Sequence, residues 1–227
     1  MGTSDSQAPT DEPTGTRLAL IHAAGELFAE RGLKGTSTRA IARRARSNIG
    51  CIHYHFGGKE KLYWAAVEYV FHRRITEQHV GLVPRARPSR QDIANVLAEL
   101  VRRRLRAACG PEVPAWHSRL LWRNVTDGQL AQRPELVDRV FRPDYERFGA
   151  IVRKARPDMS ERRTRLLFYQ LVGQLIFYPQ HKAKVFRELQ LTAYDDEHLA
   201  EIALHIALSL TRMLKLPDPK APSGGTK

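Results

Sequence analysis

The sequence from Thr36 to Leu62, TSTRAIARRARSNIGCIHYHFGGKEKL, decides the fold of the N-terminal part of this chain. Its first half predicts a short helix that begins after Ser37, whose hydroxyl can accept a hydrogen bond from the first helical turn. Its second half predicts another short helix that begins after Asn48 and ends before Gly57-Gly58. Two helices this short bury little surface, so we expect a scaffold helix upstream, at Leu20–Phe28. This arrangement is typical of a DNA-binding helix-turn-helix.

Basic residues are concentrated around this motif. Residues 33–61 contain seven lysines and arginines but one acidic residue, Glu60, which gives +6 of the chain's net charge of +13. A surface with this charge density attracts the phosphates of nucleic acids. Arg39, Arg43 and Arg44 lie beside the second short helix, where they either contact the phosphate backbone or form a solvated face.

The composition favours a cytoplasmic protein. At 227 residues and 42% hydrophobic content, the chain is long enough for one large or two small domains with a core. No apolar run approaches the roughly 20 residues of a membrane helix, and the N-terminus has no apolar signal segment. The two cysteines, Cys51 and Cys109, are too few for a disulfide framework, although a redox switch between them is an alternative.

Helical periodicity runs through most of the chain and predicts an all-α fold of about nine helices. We expect disordered tails at residues 1–15 and 217–227, since both are polar and rich in proline or glycine, and Leu216 and the residues after it are expected not to pack. A DNA-binding domain is expected at 16–76, with its helix-turn-helix at 37–56. A larger helical domain at 90–216 follows a boundary at Gly81–Ser89. Besides the two short helices, the predicted helices are Arg17–Arg31, Lys59–Thr76, Asp92–Ala108, Ala115–Val125, Pro134–Arg153, Ser160–Tyr178 and Asp195–Leu214.

The order of residues in the first domain resembles the TetR family of one-component transcriptional regulators. The matching residues are Gly32-Leu33, Thr36-Ser37, Ile41-Ala42, Ala45, Ile52-His53-Tyr54-His55-Phe56 and Lys59-Glu60-x-Leu62. Asn48-Ile49, Gly57-Gly58 and the later run Gly173-Gln174-Leu175-Ile176-Phe177-Tyr178 are similar to the CecR-like branch.

The resemblance implies what the two domains do. Each N-terminal module of a homodimer would enter one major groove of a palindromic double-stranded DNA operator. Residues 90–216 would bind a small-molecule effector and hold the dimer, and the effector would release a repressor from DNA. A change in the separation of the recognition helices, transmitted by the helix that begins at Lys59, is the expected mechanism.

Several residues suit contacts to the DNA backbone. Thr36 and Ser37 lie at a helix N-terminus, where backbone N–H groups and the helix dipole favour anions. The hydroxyl of Tyr54 and the ammonium of Lys59 suit the same task, and such contacts position a protein without reading sequence. His55 either touches phosphate or braces the following helix.

The exposed first turn and outer face of the recognition helix should meet base edges. There Ile49 can contact a thymine methyl, and Gly50 lets the backbone approach closely. Ile41, Ala45, Ile52 and Phe56 are expected in the core instead. The full predicted DNA-binding set is Thr36, Ser37, Arg39, Arg46, Asn48, Ile49, Gly50, Cys51, His53, Tyr54, His55 and Lys59.

The turn between the two short helices departs from the family pattern. The family usually has Ala-Gly-Val where this chain has Ala45-Arg46-Ser47. Arginine in a left-handed conformation costs about 1 kcal/mol relative to glycine, and Ser47 forfeits about 1.5 kcal/mol of buried methyl surface. An alternative function follows: a helical ligand- or partner-binding protein whose degraded helix-turn-helix no longer reads an operator.

Aromatic residues with scattered polar groups in the C-terminal half suit a pocket for a bulky, partly apolar effector. Each of them can instead be ordinary core. The predicted ligand-binding set is Trp116, Trp122, Tyr145, Phe148, Phe168, Gln174, Phe177 and Tyr178.

The last predicted helix carries one apolar seam, and a second lies at Leu167, Leu171 and Leu175. Paired across a two-fold axis, the two seams would form a four-helix dimer interface. Burial inside one monomer is the competing interpretation. The seam of the last helix consists of Leu199, Ile202, Ala203, Ile206, Leu210 and Met213.

Motifs for catalysis are not found, so we expect no enzyme, no catalytic residues, no cofactor and no metal. The chain has no phosphate-binding glycine loop, no HExxH and no CxxC. Glu197, Glu201 and His205 share one helical face, where a surface salt-bridge ladder is favoured over a metal site.

Overall fold

The computed structural model describes residues 15–73, Leu82 and 87–220, and over these residues the chain is all-helical. The α-helices are α1 (Gly15–Arg31), α2 (Thr38–Arg44), α3 (Ile49–Phe56), α4 (Lys59–Phe71), α5 (Arg90–Cys109), α6 (Ala115–Thr126), α7 (Pro134–Ala155), α8 (Glu161–Gln180), α9 (Lys182–Leu189) and α10 (Asp196–Met213). A 3-10 turn, Leu130–Gln132, precedes α7. The all-α prediction is confirmed, with ten helices in the described ranges where about nine were expected.

The helix that the sequence analysis missed is α9. It has eight residues and begins directly after α8, with His181 serving as the cap residue of both helices. Pro179 lies inside the last turn of α8, and a proline there predicts the end of ordered helix. The other nine helices were predicted, and their ends agree to within two residues except at the C-terminus of α4, whose predicted extension to Thr76 lies partly outside the described residues.

The chain forms two compact units, one ending at Val67 and the other beginning at Glu68. The division falls inside α4, earlier than the predicted boundary at Gly81–Ser89, of which the structure describes Leu82 and 87–89. The predicted N-terminal tail at 1–15 lies outside the described residues apart from Gly15, the first residue of α1.

The N-terminal unit is built around the buried face of α1. Leu20, Ala24 and Phe28 of α1 are fully buried, as are Ile41 of α2 and Ile52 of α3. Phe28 meets the ring of Tyr63 edge-on, with 5.0 Å between ring centroids. The core positions predicted for Ile41, Ile52 and Phe56 are confirmed, and Ala45 is half-buried.

The C-terminal unit packs its helices around α5. A capping box between Ser89 and Asp92 begins α5, and Leu97, Leu100, Val101 and Leu105 are fully buried in the core that this helix shares with α7, α8 and α10. The long apolar stripe of α5 therefore supplies the hydrophobic surface on which this unit folds.

The segment after α10 packs onto α5, so the prediction that residues from Leu216 onward do not pack is wrong for 216–220. Leu216 is buried in the core. The side chain of Gln91 donates a hydrogen bond to the backbone carbonyl of Asp218 (3.0 Å), and Asn95 accepts one from the N–H of Lys220 (2.9 Å). Prolines prevent a helix here, but they do not prevent an extended segment from covering a helix face. The predicted tail beyond Lys220 lies outside the described residues.

In the described part of the chain, no helix is both long and apolar enough to span a bilayer.

Candidate DNA-binding surface and effector cavity

Both predicted caps of the helix-turn-helix are present. The Oγ atom of Ser37 accepts a hydrogen bond from the N–H of Ala40 (3.2 Å) at the start of α2. The side-chain oxygen of Asn48 accepts one from the N–H of Cys51 (2.9 Å) at the start of α3. Each cap satisfies a backbone donor that a helix N-terminus otherwise leaves without a partner.

The turn between α2 and α3 holds Arg46 in the left-handed region, with φ of 51°. The backbone closes the turn with hydrogen bonds from Arg46 N–H to the carbonyl of Arg43 (3.2 Å) and from Ser47 N–H to that of Ala42 (2.9 Å). The expected strain of about 1 kcal/mol is therefore borne by a non-glycine residue, and the turn forms in spite of it.

The recognition helix α3 is buried on one side and exposed on the other. Ile52 and Phe56 point into the core, whereas Gly50, His53 and Tyr54 are exposed, Tyr54 to 86%. Ile49 is 41% exposed in the first turn. An aliphatic side chain and an exposed tyrosine at the start and middle of one helix form a surface that can meet base edges and phosphates.

Gly50 lies close to the cap of α3. A Cβ atom placed on Gly50 would lie 3.0 Å from the side-chain oxygen of Asn48, which is tighter than ordinary packing. Glycine therefore keeps the cap intact and leaves the first turn of α3 open to close approach.

The side chain of Thr36 faces the interior of the N-terminal unit. Its side chain is buried, and its hydroxyl donates to the backbone carbonyls of Gly32 (2.8 Å) and Leu27 (3.2 Å). The hydroxyl therefore stabilises the end of α1 and is not available to phosphate, so the contact predicted at Thr36 stays a prediction for its backbone N–H. The sequence shows that Thr36 precedes a helix, but this position does not reveal the direction in which its side chain points.

Lys59 links the start of α4 to the loop before α2. Its ammonium donates a hydrogen bond to the carbonyl of Thr36 (2.9 Å), and the side chain is half-buried. An ammonium has three N–H donors, so a phosphate can be bound in addition to this carbonyl. His55, also half-buried, lies edge-on to Tyr54 with 5.0 Å between centroids.

The arginines of α2 and the turn divide into two groups. Arg39, Arg43 and Arg46 are exposed. Arg44 forms an ion pair with Glu26 of α1, which fixes α2 against the scaffold helix. The three exposed guanidinium groups are the part of the basic cluster that is best placed to attract phosphate.

A cavity of about 120 Å³ lies within the C-terminal unit. Most of its lining is apolar, and its polar side chains are Arg104, Asp144 and Gln180. Gln180 is fixed by a hydrogen bond from its side-chain nitrogen to the carbonyl of Ser118 (3.0 Å). The full lining is Phe71, Arg104, Ala108, Leu121, Trp122, Phe141, Asp144, Val172, Leu175, Ile176, Pro179 and Gln180.

Of the predicted ligand-binding residues, Trp122 lines this cavity and the other seven do not. Phe148 and Phe168 are core residues in contact with each other, and Trp116 is buried against the ring of His117. Tyr145 lies edge-on to Phe168, and the exposed ring of Phe177 stacks on His181. Gln174 and Tyr178 are half-buried elsewhere on α8. The aromatic composition indicated a pocket, but packing decides which aromatic rings become core.

Arg104 of α5 and Asp144 of α7 form a buried ion pair in the cavity wall, with side chains 7% and 3% exposed. Burial lowers the pKa of the Arg104 guanidinium, and the adjacent carboxylate opposes that shift. Arginine side chains in proteins keep their charge, so the contact is an ion pair. Helical spacing offered a signal for the pair that the sequence analysis missed. Arg104 falls on the buried stripe of α5 with Leu97 and Leu100, and Asp144 lies one turn before the buried Phe148 on α7.

The last turns of α4 pack against α6 and α7 in the C-terminal unit. Glu68 pairs with Arg139, Tyr69 lies edge-on to His117, and the ring of Phe71 lies 5.1 Å from that of Phe141. Phe71 also lines the cavity. The helix that begins at Lys59 in the N-terminal unit thus ends at the cavity wall.

The predicted dimer seams are mostly buried inside the monomer. Ile206 is 4% exposed and belongs to the core with the α8 leucines. The outer surface carries a different apolar set, which we call the α8–α10 face: Leu166, Tyr169 and Phe177 on one side of α8, with Leu204 of α10, each 40–60% exposed. Met213 is 38% exposed but lies on the opposite side of α10 from Leu204. Both helices have apolar residues on two sides, so periodicity did not show which side faces α5. The residues contradicted as an intermolecular seam are Leu167, Leu171, Leu175, Leu199, Ile202, Ala203, Ile206 and Leu210.

Among the described residues, no group of three histidine, cysteine, aspartate or glutamate side chains comes together as a metal site, and this includes the face with Glu197, Glu201 and His205.

Comparison with known families covers both units. Residues 20–66 match the bacterial regulatory proteins of the tetR family, and residues 93–215 match the C-terminal domain of the HTH-type transcriptional dual regulator CecR. The fold and surface thus define a helix-turn-helix protein with a helical C-terminal domain. The chain belongs to the TetR family, in its CecR-like branch.

Relatives of known function include an HTH-type transcriptional repressor of Mycobacterium tuberculosis, which is 34% identical over 145 residues, 59% of this chain and 64% of the repressor. The dual regulator CecR of Shigella flexneri is 26% identical over 186 residues, 78% of this chain and 82% of CecR. The alignment with the mycobacterial relative thus spans less than two thirds of its length.

Solved structures share the fold. GusR of Salmonella enterica matches with a TM-score of 0.61 and 19% identity, over 91% of this chain and 98% of GusR. A TetR-like transcriptional regulator from Rhodococcus sp. RHA1 matches with a TM-score of 0.59 and 16% identity, over 87% and 96% of the two chains.

Proposed function

We propose that this protein is a transcriptional repressor that binds a palindromic operator as a homodimer and is released by a small molecule. The observation that carries the proposal is the path of α4, which begins in the helix-turn-helix unit with Lys59 and ends at the cavity with Phe71. Relatives of the chain are HTH-type transcriptional repressors, which supports repression over activation.

Binding to DNA follows from the exposed residues of α3 and the basic surface around it. Ile49, Gly50 and His53 meet base edges in the major groove, with Cys51 and Asn48 in the same turn. Ser37, Tyr54, Lys59 and the exposed arginines Arg39 and Arg46 hold the phosphate backbone. His55 braces Tyr54 through the ring contact described above.

Release by an effector requires a ligand that binds one conformation of the protein better than the other. A ligand in the cavity contacts Phe71, and a shift of this ring moves the end of α4. Helix α4 runs without interruption from Lys59 to Phe71, and we propose it as the route by which that movement reaches the helix-turn-helix unit. A coupling of about 1–3 kcal/mol is enough for regulation of this kind.

Dimerisation places two recognition helices in successive major grooves, roughly 34–36 Å apart. The α8–α10 face is the surface that we assign to the dimer, since its apolar residues are exposed in the monomer and a two-fold axis would bury them. Tyr169→Glu should then yield folded monomers that bind the operator poorly. Leu189→Glu, on the exposed side of α9, is the matched control and should remain dimeric in sedimentation.

The test of the whole proposal is a mobility-shift titration with the promoter DNA beside the protein's own gene. Specific binding at nanomolar concentration should persist in excess random-sequence competitor and should be lost in Ile49→Ala/His53→Ala. The alternative is a ligand- or partner-binding protein with a degraded helix-turn-helix. Its support is the turn at Arg46, where a non-glycine residue has a positive φ. It predicts thermal stabilisation by ligand with no sequence-specific shift.

A further inference from the structure

The cavity wall contains a charged pair in apolar surroundings. Arg104 and Asp144 are almost completely buried, and the side chains next to them in the lining include Phe71, Trp122 and Phe141. A buried ion pair adds little net stability, because apolar residues of the same volume usually serve as well. An ion pair in the wall of a cavity is therefore explained better by the binding of a charged ligand than by a contribution to folding stability.

The balance of charge around the pair is positive. The exposed guanidinium of Arg147, one turn along α7 from Asp144, lies close enough to repel the charge of Arg104. The surroundings of the pair thus hold two positive charges, one buried and one exposed, and the carboxylate of Asp144. An anion in the cavity can contact the guanidinium of Arg104 directly and gains less from Arg147, whose exposed charge is screened by solvent. A cation placed against Asp144 instead meets the guanidinium that already pairs with it.

The cavity is partly open to solvent, and its inner volume suits a small ligand. A volume of 120 Å³ holds about ten water-sized groups, since one water needs about 10–15 Å³ on this measure. The occupant is thus a compact molecule, such as one ring or a short branched chain with a polar end.

We propose that the effector is a small organic carboxylate of about ten non-hydrogen atoms, with its carboxylate on Arg104 and its apolar body among Phe71, Trp122 and Phe141. This inference rests on the proposed function for its role in regulation, but the binding itself does not require DNA. The carboxylate shares or replaces Asp144 as the partner of the guanidinium, a planar donor that suits carboxylates in two-point contact. The apolar body contacts Phe71, the end of α4.

The test compares acids with their uncharged amides of equal shape. Isothermal titration of the DNA-free protein uses 3-phenylpropionate, cyclohexylacetate and heptanoate, each beside its amide. At least one acid should bind about tenfold or more tightly than its amide, the ratio expected for one charge-assisted hydrogen bond. An amide that binds as well as its acid, or the absence of binding by all three acids at millimolar concentration, would overturn the proposal.

Two variants test whether Arg104 is the residue that binds the carboxylate of the ligand. Asp144→Asn removes the competing carboxylate and should strengthen binding of the acid several-fold with little change for the amide. R104M/D144N removes both charges without leaving either buried by itself, and it should abolish the preference for the acid. Weaker acid binding by Asp144→Asn, or a preference that persists in the double variant, would contradict the assignment to Arg104.

The operator supplies an independent readout. Addition of the binding acid to the protein–operator complex should lower operator affinity by the same factor by which DNA lowers affinity for the acid. An acid that binds and leaves operator affinity unchanged would preserve the ligand assignment and contradict the proposed release mechanism.

Discussion

The basic surface of the N-terminal unit and the cavity wall of the C-terminal unit place arginine in opposite environments. In the N-terminal unit Arg39, Arg43 and Arg46 are exposed to solvent, whereas in the C-terminal unit Arg104 is buried against Asp144. An exposed charge acts over roughly 10 Å and is screened by salt. A buried charge interacts with one partner at close range, and that interaction must compensate for the free energy of removing the charge from water. The first environment suits a polymer that carries many phosphates, and the second suits one small ligand.

The largest expected effect comes from breaking the buried pair. Arg104→Met should lower the free energy of unfolding by about 3–5 kcal/mol, because Asp144 is left buried without its charged partner. Arg39→Met on the exposed surface should change it by about 0.5 kcal/mol or less. Urea denaturation measures both values. In R104M/D144N most of the loss should be recovered, and equal losses in the single and double variants would contradict the role given to Asp144.

A second comparison separates the core of the C-terminal unit from its cavity. Phe168→Ala should cost about 3 kcal/mol of stability, since the ring is buried among core residues. Trp122→Ala should cost less because that ring is 40% exposed, but it should weaken effector binding. Thermal unfolding together with titration of a binding acid distinguishes the two roles. Unchanged acid affinity in Trp122→Ala would remove this residue from the site.

On the DNA-binding side, Lys59→Ala should weaken binding to operator and random DNA by about tenfold alike, since a phosphate contact carries no sequence information. The slope of log K against log salt should fall by about 0.9. Tyr54→Phe should weaken both DNAs alike by a smaller factor. Lys184→Ala, an exposed lysine of α9 outside the basic region at 33–61, is the control. A loss confined to the operator would assign Lys59 to base recognition instead.

The smallest effect concerns the turn, where stability and affinity should change in opposite directions. Arg46→Gly should raise stability by about 1 kcal/mol, because glycine adopts the left-handed conformation without strain. The same change should reduce DNA affinity through loss of one exposed charge. Arg43→Gly, inside α2, also removes a charge but should lower stability by about 1 kcal/mol. Calorimetric unfolding and DNA titration in low salt measure both responses.

The N-terminal unit was predictable because its signals are local. Ser37 and Asn48 cap helices within three residues of their own positions, and the glycine pair that begins at Gly57 ends α3 by backbone geometry. Thr36 was the exception, since its hydroxyl bonds to Leu27, nine residues away. Local sequence does not encode a contact at that separation.

In the C-terminal unit the sequence predicted the helices, but it did not predict which residues line the cavity. The cavity combines residues from α4 to α8, and their proximity depends on how the helices pack. Phe148 and Phe168 have the same aromatic character as Trp122, and only tertiary contacts separate core from lining. For the same reason Ile206 was assigned to an interface between chains although it lies in the core of one.

The hydrogen bond from Lys59 to the carbonyl of Thr36 has a thermodynamic consequence. A free lysine side chain carries about 2 kcal/mol of rotamer entropy, which a ligand must ordinarily overcome when it fixes the ammonium. Here folding has already ordered that side chain. A phosphate that reaches Lys59 therefore meets a charge whose entropy was lost before DNA arrived, and the contact should appear in calorimetry as an enthalpic gain with little entropic opposition.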